Sequence, residues 1–394
     1  MRRKFNGDRL KSARLYRGLT LAELGNSIDI SKQSLSLYEN NKNEPDFSTI
    51  NKLSSELHFP KEYFFQNDEI TVKSDATYFR SLMSTTKKSR VSQIKKVEHI
   101  SALYEALYKY IDFPNLNLPE FEFDKNNLDD KEIELIANKL REFWNLEDGP
   151  IQDLQYELER NGIIVTGFDT EDEKIDAFSQ RVTIDENVSF IIVLSIGSKP
   201  KGRINFDMAH ELGHIILHPW TEDLETLSKE EFKEREQQAN KFASSFLMPK
   251  KSFENEVSLY PTELTYYIHL KGKWNCSIQA MLYRTHDLGV ISTNQFQYLM
   301  RQISSKGWRK KEPDDVPFYL NDNIFQGAID LLLENGYKRD DIVDIFRESS
   351  IAIFSDEIEK LLDLKEGTLF TRDNLSDKDD NVIELKLYKS KKDK

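Results

Sequence analysis

The chain has 394 residues, 38% of them hydrophobic, with a single cysteine and a formal net charge of −13. That length allows two or three domains with cores of their own, and one cysteine excludes an internal disulfide and fits a reducing compartment. No apolar run approaches the roughly 18 residues of a membrane span, and no hydrophobic segment follows Met1-Arg2-Arg3-Lys4, so neither a membrane partner nor a signal peptide is expected and the cytoplasm is the expected location.

The charge is uneven along the chain. Residues 1–65 hold eleven Lys and Arg against eight Asp and Glu, a balance of +3 that leaves −16 on the remainder. Seven of those eleven cations lie between Arg2 and Arg17. A basic head on an acidic body predicts a nucleic-acid-binding module joined to something that does not bind nucleic acid.

Residues 8–65 read as short helices separated by turn residues. Thr20 with Glu23 three residues later has the form of a capping box, and Ser31 caps the helix that follows. This stretch resembles a Cro/phage-repressor helix-turn-helix domain, with Leu10, Leu15, Leu19, Leu24, Ile28, Leu35, Ile50, Leu53 and Leu57 as its core. The resemblance implies a recognition helix at 32–40 that enters the major groove of double-stranded operator DNA by its amino end. Lys32 and Gln33 would then meet base edges, the lysine favouring guanine and the glutamine adenine. Ser34, Ser36 and Asn40 are candidates for base or phosphate contacts. Arg14 and Glu39 match positions that form an ion pair in such domains. Two residues depart from the pattern, Asp29 at the usual turn glycine and Gly25 at a helix alanine, and both are expected to loosen local structure. A helical protein-interaction domain of the same fold is the competing reading, and homodimerisation is compatible with either.

A long amphipathic helix is predicted at about 88–111, carrying Val91, Ile94, Val97, Leu103, Tyr104, Leu107 and Ile111 at helical spacing. The stretch 112–130 is rich in Pro, Asn and Asp and is the best boundary. Helices at 131–144 and 151–161 follow, and then the period changes. Residues 162–168 and 188–194 are β-branched and aromatic runs, 176–184 is a third strand candidate, and Asp185-Glu186-Asn187 would turn the last two into a hairpin. Helices are predicted at 203–217 and 229–247, and mostly helical chain beyond 250, broken near Gly289, Gly307 and Pro313. The pattern is a mainly α chain with a small antiparallel β-sheet (α+β). It divides into a five-helix head at 1–66, a helical linker at 67–125, a core at 126–250 and a helical extension at 251–394. Within that extension, small helices are expected around 324–333, 342–346 and 358–362, and a strand at 382–385.

The chemistry concentrates in His210-Glu211-Leu212-Gly213-His214. Histidines four apart stack on one helix face, within reach of one zinc ion at about 2.0–2.1 Å each. Glu211 is turned away from that pair, where it can take a proton rather than bind metal. Gly213 leaves room for close packing. Two structural histidines on one helix are the bland alternative, and a third ligand decides between them. The helix opened by Ser228 and Glu231 has an apolar stripe of Phe232, Ala239, Ala243, Phe246 and Leu247, and Glu236 falls in its middle. A lone carboxylate there is costly unless it is paired or holds a metal, so Glu236 is the third candidate. His218, at the helix end before Pro219, suits a supporting or capping position better than a ligand. Cys276 is either a buried small hydrophobe or a thiolate able to reach the open metal position.

The runs 206–214, 236–243 and 247–249, together with Gly149-Pro150-Ile151 and 175–179, resemble the ImmA/IrrE family of metallopeptidases over about 125–310. The resemblance implies a zincin-type fold, one Zn²⁺ on His210, His214 and Glu236, Glu211 as general base, and Asn240 supporting the ligands one turn past Glu236. Asp207 and Gln238 depart from the family pattern without touching the proposed ligands, although Asp207 could alter access. Family members of known role cleave repressors or antitoxins. The expectation is therefore a DNA-binding transcriptional regulator that cleaves a partner repressor or antitoxin, or itself, in a stress, mobile-element or anti-phage response. The competing expectation is a transcription factor whose zincin-like region is a non-catalytic ligand sensor. Glu211 speaks for the first, because a sensor needs metal ligands but no base.

Overall fold

The computed structural model describes residues 4–67, 77–79, 86–121, 128–167, 177–184, 187–195, 197, 199–220, 227–318, 323–349 and 351–370. The expected strand at 382–385 and the turn residues Asp185 and Glu186 lie outside them. No helix of the described residues is long and apolar enough to cross a membrane.

The amino-terminal helices are α1 (Gly7–Tyr16), α2 (Leu21–Ile28), α3 (Lys32–Glu39) and α4 (Phe47–Leu57), closed by a 3₁₀ turn at Lys61–Phe65 that supplies the fifth helical element. Side-chain oxygens start each α-helix: Asn6, Thr20, Ser31 and Asp46 accept from backbone amides, and Thr20 and Glu23 complete a capping box. Leu10, Leu24, Leu35, Leu53 and Leu57 are fully buried, and Ile28 and Ile50 nearly so, while Leu19 packs at the core's margin. The two departures in the α2–α3 turn compensate each other rather than loosening it. Asp29 adopts the left-handed conformation at φ 57°, which aspartate tolerates better than most residues. The turn then folds back so closely that a Cβ on Gly25 would lie 2.5 Å from the Ile30 carbonyl oxygen. Gly25 is small because it must be.

β1 (Thr77–Phe79) and α5 (Lys87–Tyr108) come next, then α6 (Asp130–Phe143), α7 (Leu154–Arg160), β2 (Ile163–Gly167), β3 (Ala177–Ile184) and β4 (Asn187–Leu194). The strands form one sheet in the order β1-β3-β4-β2. β3 and β4 are the expected antiparallel pair, with Ala177 opposite Leu194 and Ile184 opposite Asn187. The sheet is not antiparallel throughout, as the sequence suggested, but mixed: β2 runs parallel to β4, Ile163 opposite Phe190 and Gly167 opposite Leu194. The reason is that β4 inserts between β2 and β3, and β2 is buried on both faces, the environment in which continuous apolar runs form parallel strands.

The remaining helices are α8 (Lys201–Leu217), α9 (Lys229–Leu247), α10 (Lys250–Val257), α11 (Leu264–Trp274), α12 (Ile278–Asp287), α13 (Thr293–Ser305), α14 (Ile324–Glu334), α15 (Arg339–Glu348) and α16 (Ser355–Leu362). The sheet divides the molecule into two cores, because alternate residues of a strand point to opposite faces. Ile163, Val165, Phe190, Ile192 and Leu194 join the core built on α6–α13. Ile164, Phe178, Val182, Ile191 and Val193 join the other, which holds the amino-terminal helices, α5 and α14–α16. α5, in the stretch expected as a linker, is packed from Ser92 onward, with Val97, Ile100, Leu103 and Leu107 fully buried.

Polar contacts tie the amino-terminal helices to the far end of the chain. The Tyr16 hydroxyl donates to Glu357 at 2.6 Å, Arg17 pairs with the same carboxylate at 3.0 Å, and His58 meets Asp356 at 3.0 Å. Gln66 donates to the Arg347 carbonyl and accepts from the Ala352 amide.

Candidate metal centre and DNA-reading face

α8 and α9 pack against each other, and Gly213 lets them come close. A Cβ there would sit 3.2 Å from the Cα and carbonyl oxygen of Ala239. That closeness carries Glu236, one turn before Ala239, up to the two histidines. His210 Nε2 and His214 Nε2 are 3.0 Å apart, and the Glu236 carboxylate lies 3.5 and 3.2 Å from them. All three donor atoms fall within 4.8 Å of one another.

The surrounding hydrogen bonds decide which nitrogen of each ring carries its proton. Gln238 Oε1 lies 3.0 Å from His218 Nε2, and an amide oxygen only accepts, so His218 donates from Nε2. Burial pushes His218 well below the ordinary histidine range, which favours the neutral ring with Nδ1 as its acceptor. That atom is 2.9 Å from His214 Nδ1, which therefore donates and leaves His214 Nε2 with a lone pair. His210 Nδ1 reaches Asn240 Oδ1 at 3.1 Å, which leaves His210 Nε2 bare in the same way. Two lone pairs and an anion thus converge on one small volume. Three acceptors facing one point repel each other unless a cation lies among them, and two nitrogens with one carboxylate suit zinc.

Glu211 is turned from this group and buried to 1% exposure. The Ser179 hydroxyl, on β3, donates to its Oε2 at 2.6 Å. Asn240 and His218 thus meet the histidines as supporting residues. Ser179 and Gln238 are additions that sequence reasoning missed. Ser179 belongs to a strand more than thirty residues away, whereas Gln238, two residues past Glu236, could have been found from its helical register. Cys276 is fully buried in the second core and outside the ligand group. Burial pushes its thiol up to about 12, which removes the thiolate needed for a metal switch. Beside the centre, Asp207 and Asn240 line a cleft of about 940 Å³ that also takes in Phe206, Tyr283 and Trp308.

The other candidate residues sit on α3. Lys32 and Gln33 are exposed at its amino end, and Ser34 and Ser36 are half-buried. Ser34 spends its amide and hydroxyl on the cap with Ser31, and Asn40 is exposed but donates to the Ser36 carbonyl at 2.7 Å, closing the helix. Arg14 and Glu39 form the expected ion pair, bidentate at 2.6 and 2.9 Å and buried. Lys87 and Lys88, at the start of α5, join Arg14 and Lys32 around a groove of about 410 Å³, with Lys88 paired to Glu23 at 2.7 Å. A second acidic group, His58 with Asp356 and Glu357, is satisfied by Arg17 and the Tyr16 hydroxyl and forms a latch between α1, α4 and α16.

A family model described as the IrrE N-terminal-like domain matches residues 158–286, and one described as a helix-turn-helix domain matches residues 7–70. The HTH-type transcriptional regulator ImmR of Bacillus subtilis (strain 168) is 30% identical over 89 residues, covering 23% of this chain and 67% of that protein. The chain belongs to the XRE-type helix-turn-helix family and carries an IrrE/ImmA-like domain. The helix-turn-helix match spans α1–α4 and the 3₁₀ turn. The IrrE-like match spans the sheet from β2 through the converging ligand group on α8 and α9, and reaches the end of α12.

Proposed function

We propose that this protein is a DNA-binding transcriptional regulator whose IrrE-like domain is a zinc-dependent endopeptidase that cleaves a partner repressor or antitoxin, or its own chain. In this reading residues 1–66 form the DNA reader and 126–250 the peptidase core, with 67–125 and 251–394 supporting them. Lys32 and Gln33 read base edges, and Ser34, Ser36 and Asn40 fix the amino end and body of the recognition helix against the duplex. His210, His214 and Glu236 hold one zinc ion, which when bound supplies the Lewis acidity that polarises a peptide carbonyl and lowers the pKa of water.

The observation that carries this reading is the pair of proton relays. Asn240 on one side and His218 with Gln238 on the other engage both Nδ1 atoms and so direct the two Nε2 atoms toward Glu236. Ser179 holds one oxygen of Glu211, which orients the carboxylate to accept a proton from an entering water and return it to the departing amine. Burial around Glu211 excludes bulk water and strengthens each of these contacts.

The test is to incubate the zinc-loaded protein with the products of neighbouring reading frames and look for cleavage, with Glu211→Gln as control. Cutting by wild type and not by Glu211→Gln is expected. Identical behaviour of the two, with operator regulation lost only in Glu236→Ala, would replace the peptidase with a metal-dependent sensor.

A further inference from the structure

The strand that serves the candidate catalytic group is β3, and its outer edge is taken. Ser179 donates to Glu211 from the middle of β3, and on the side away from β4 the neighbour of β3 is a segment of the chain's own connection between the reader and α5. Thr77 pairs antiparallel with Gln180, Tyr78 with Ser179 and Phe79 with Phe178. The main chain of residue 78 therefore lies directly opposite the residue that holds the proposed general base.

An open sheet edge offers a row of unpaired amides and carbonyls, and extended peptides bind such edges by adding a strand. A peptidase needs its substrate extended and in fixed register beside the base, because a main chain held by a strand edge is positioned independently of its side chains. Of the two edges of this sheet, that of β2 lies beyond β4, on the side of the sheet away from Ser179. The edge of β3 is the one that leads to Glu211. We propose that the β3 edge at residues 178–180 is the peptide-binding groove of this domain, and that residues 77–79 fill it as an internal strap that an incoming peptide must displace. The groove recognises extended main chain, and the resting protein is held closed by a piece of itself. The inference rests on the peptidase reading for its purpose, but the strap and the groove can be tested without turnover.

The probe is a fluorescein-labelled peptide of this chain's residues 73–83, added to the full-length Glu211→Gln protein. Thr77→Cys and Gln180→Cys are introduced together. Directly opposed strand residues fall within the Cα separation a disulfide accepts, and the native Cys276 is buried. Gln180 tolerates replacement because its fully buried amide has no hydrogen-bond partner among the described residues. The oxidised protein is expected to bind the peptide at least tenfold more weakly than the reduced one. Tyr78→Pro and Phe79→Pro together remove whichever of these two alternating amides faces β3 and are expected to strengthen binding over the unsubstituted strap by a similar factor, with operator binding as the check on folding. Failure of the disulfide to form, or equal peptide binding in both redox states, would overturn the strap. If binding follows the redox state but no protein is ever cut, the groove stands and the peptidase reading falls. If the Glu211-containing double cysteine cuts its partner equally in both states, the peptidase reading stands and the strap falls.

Discussion

The proposed DNA reader and the candidate metal centre hold their residues in opposite ways. Lys32 and Gln33 stand exposed at the end of a capped helix, whereas His210, Glu211, His214 and His218 are all buried, and each is joined to another side chain. Exposed contact residues act one at a time and add their energies, so they can be exchanged without disturbing the fold. A buried relay acts as a unit, because each member fixes the proton and rotamer of the next. On the proposed reading, the amino-terminal part can therefore change its operator residue by residue, while the metal centre can change only in concert.

Substitutions can break this contrast. The largest effect is expected from Glu211→Gln, which should lower cleavage by about 10²–10⁴-fold while leaving zinc content and thermal unfolding unchanged; a comparable loss of bound zinc would show that Glu211 is a ligand. Arg14→Ala comes next, since it strands the buried Glu39 carboxylate. A loss of about 3–5 kcal/mol is expected in denaturant unfolding, and a loss below about 1 kcal/mol would place the pair at the surface in solution. Here the contrast reverses within the reader itself, whose buried ion pair should behave like the metal relay and unlike Lys32 and Gln33.

Much of this was readable in advance where the causes are local. Thr20 with Glu23, Ser31, and Ser228 with Glu231 set helix starts through contacts three residues long, and the structure has each of them. The meeting of Glu236 with His210 and His214 followed from helical register and from the size of Gly213. What could not be read were contacts between distant parts of the chain. The parallel pairing of β2 with β4 depends on which strand inserts between which, and apolar runs of this length carry no record of that. Ser179 reaching Glu211, or Tyr16 reaching Glu357 across 341 residues, joins side chains whose own neighbours give no hint of the partner. Gly25 was misread for a related reason: its closeness to the Ile30 carbonyl exists only once Asp29 has turned the chain.

Smaller effects sharpen the comparison. Lys32→Ala and Gln33→Ala should each cost about 1–3 kcal/mol of discrimination at one base position, additively, in operator titrations; strong non-additivity would mean that α3 has shifted. His218→Ala should weaken zinc binding by about 10–100-fold, measured against a competing chelator, and Gln238→Leu should lose a similar factor by freeing the same ring. The smallest effect is a pH dependence at the latch. Burial alone would raise the Glu357 carboxyl, but Arg17 and the Tyr16 hydroxyl outweigh it and hold it below the ordinary value of 4.5. A carboxyl lowered in the folded state adds stability above its unfolded pKa and loses it as pH falls through the folded one. Acid should therefore loosen the amino-terminal helices from α16 in hydrogen exchange, and Glu357→Gln should flatten that trend.

The first core draws on both α1–α4 and α14–α16, and this has a consequence for synthesis on the ribosome. The apolar surface of the amino-terminal helices meets its last partners, among them Ile353, Ile358 and Leu362, only after some 360 residues have been made. A nascent chain released before that point would expose this surface to chaperones and proteases instead of burying it. On the proposed reading, a chain that has completed the core of its DNA reader has also completed its IrrE-like domain.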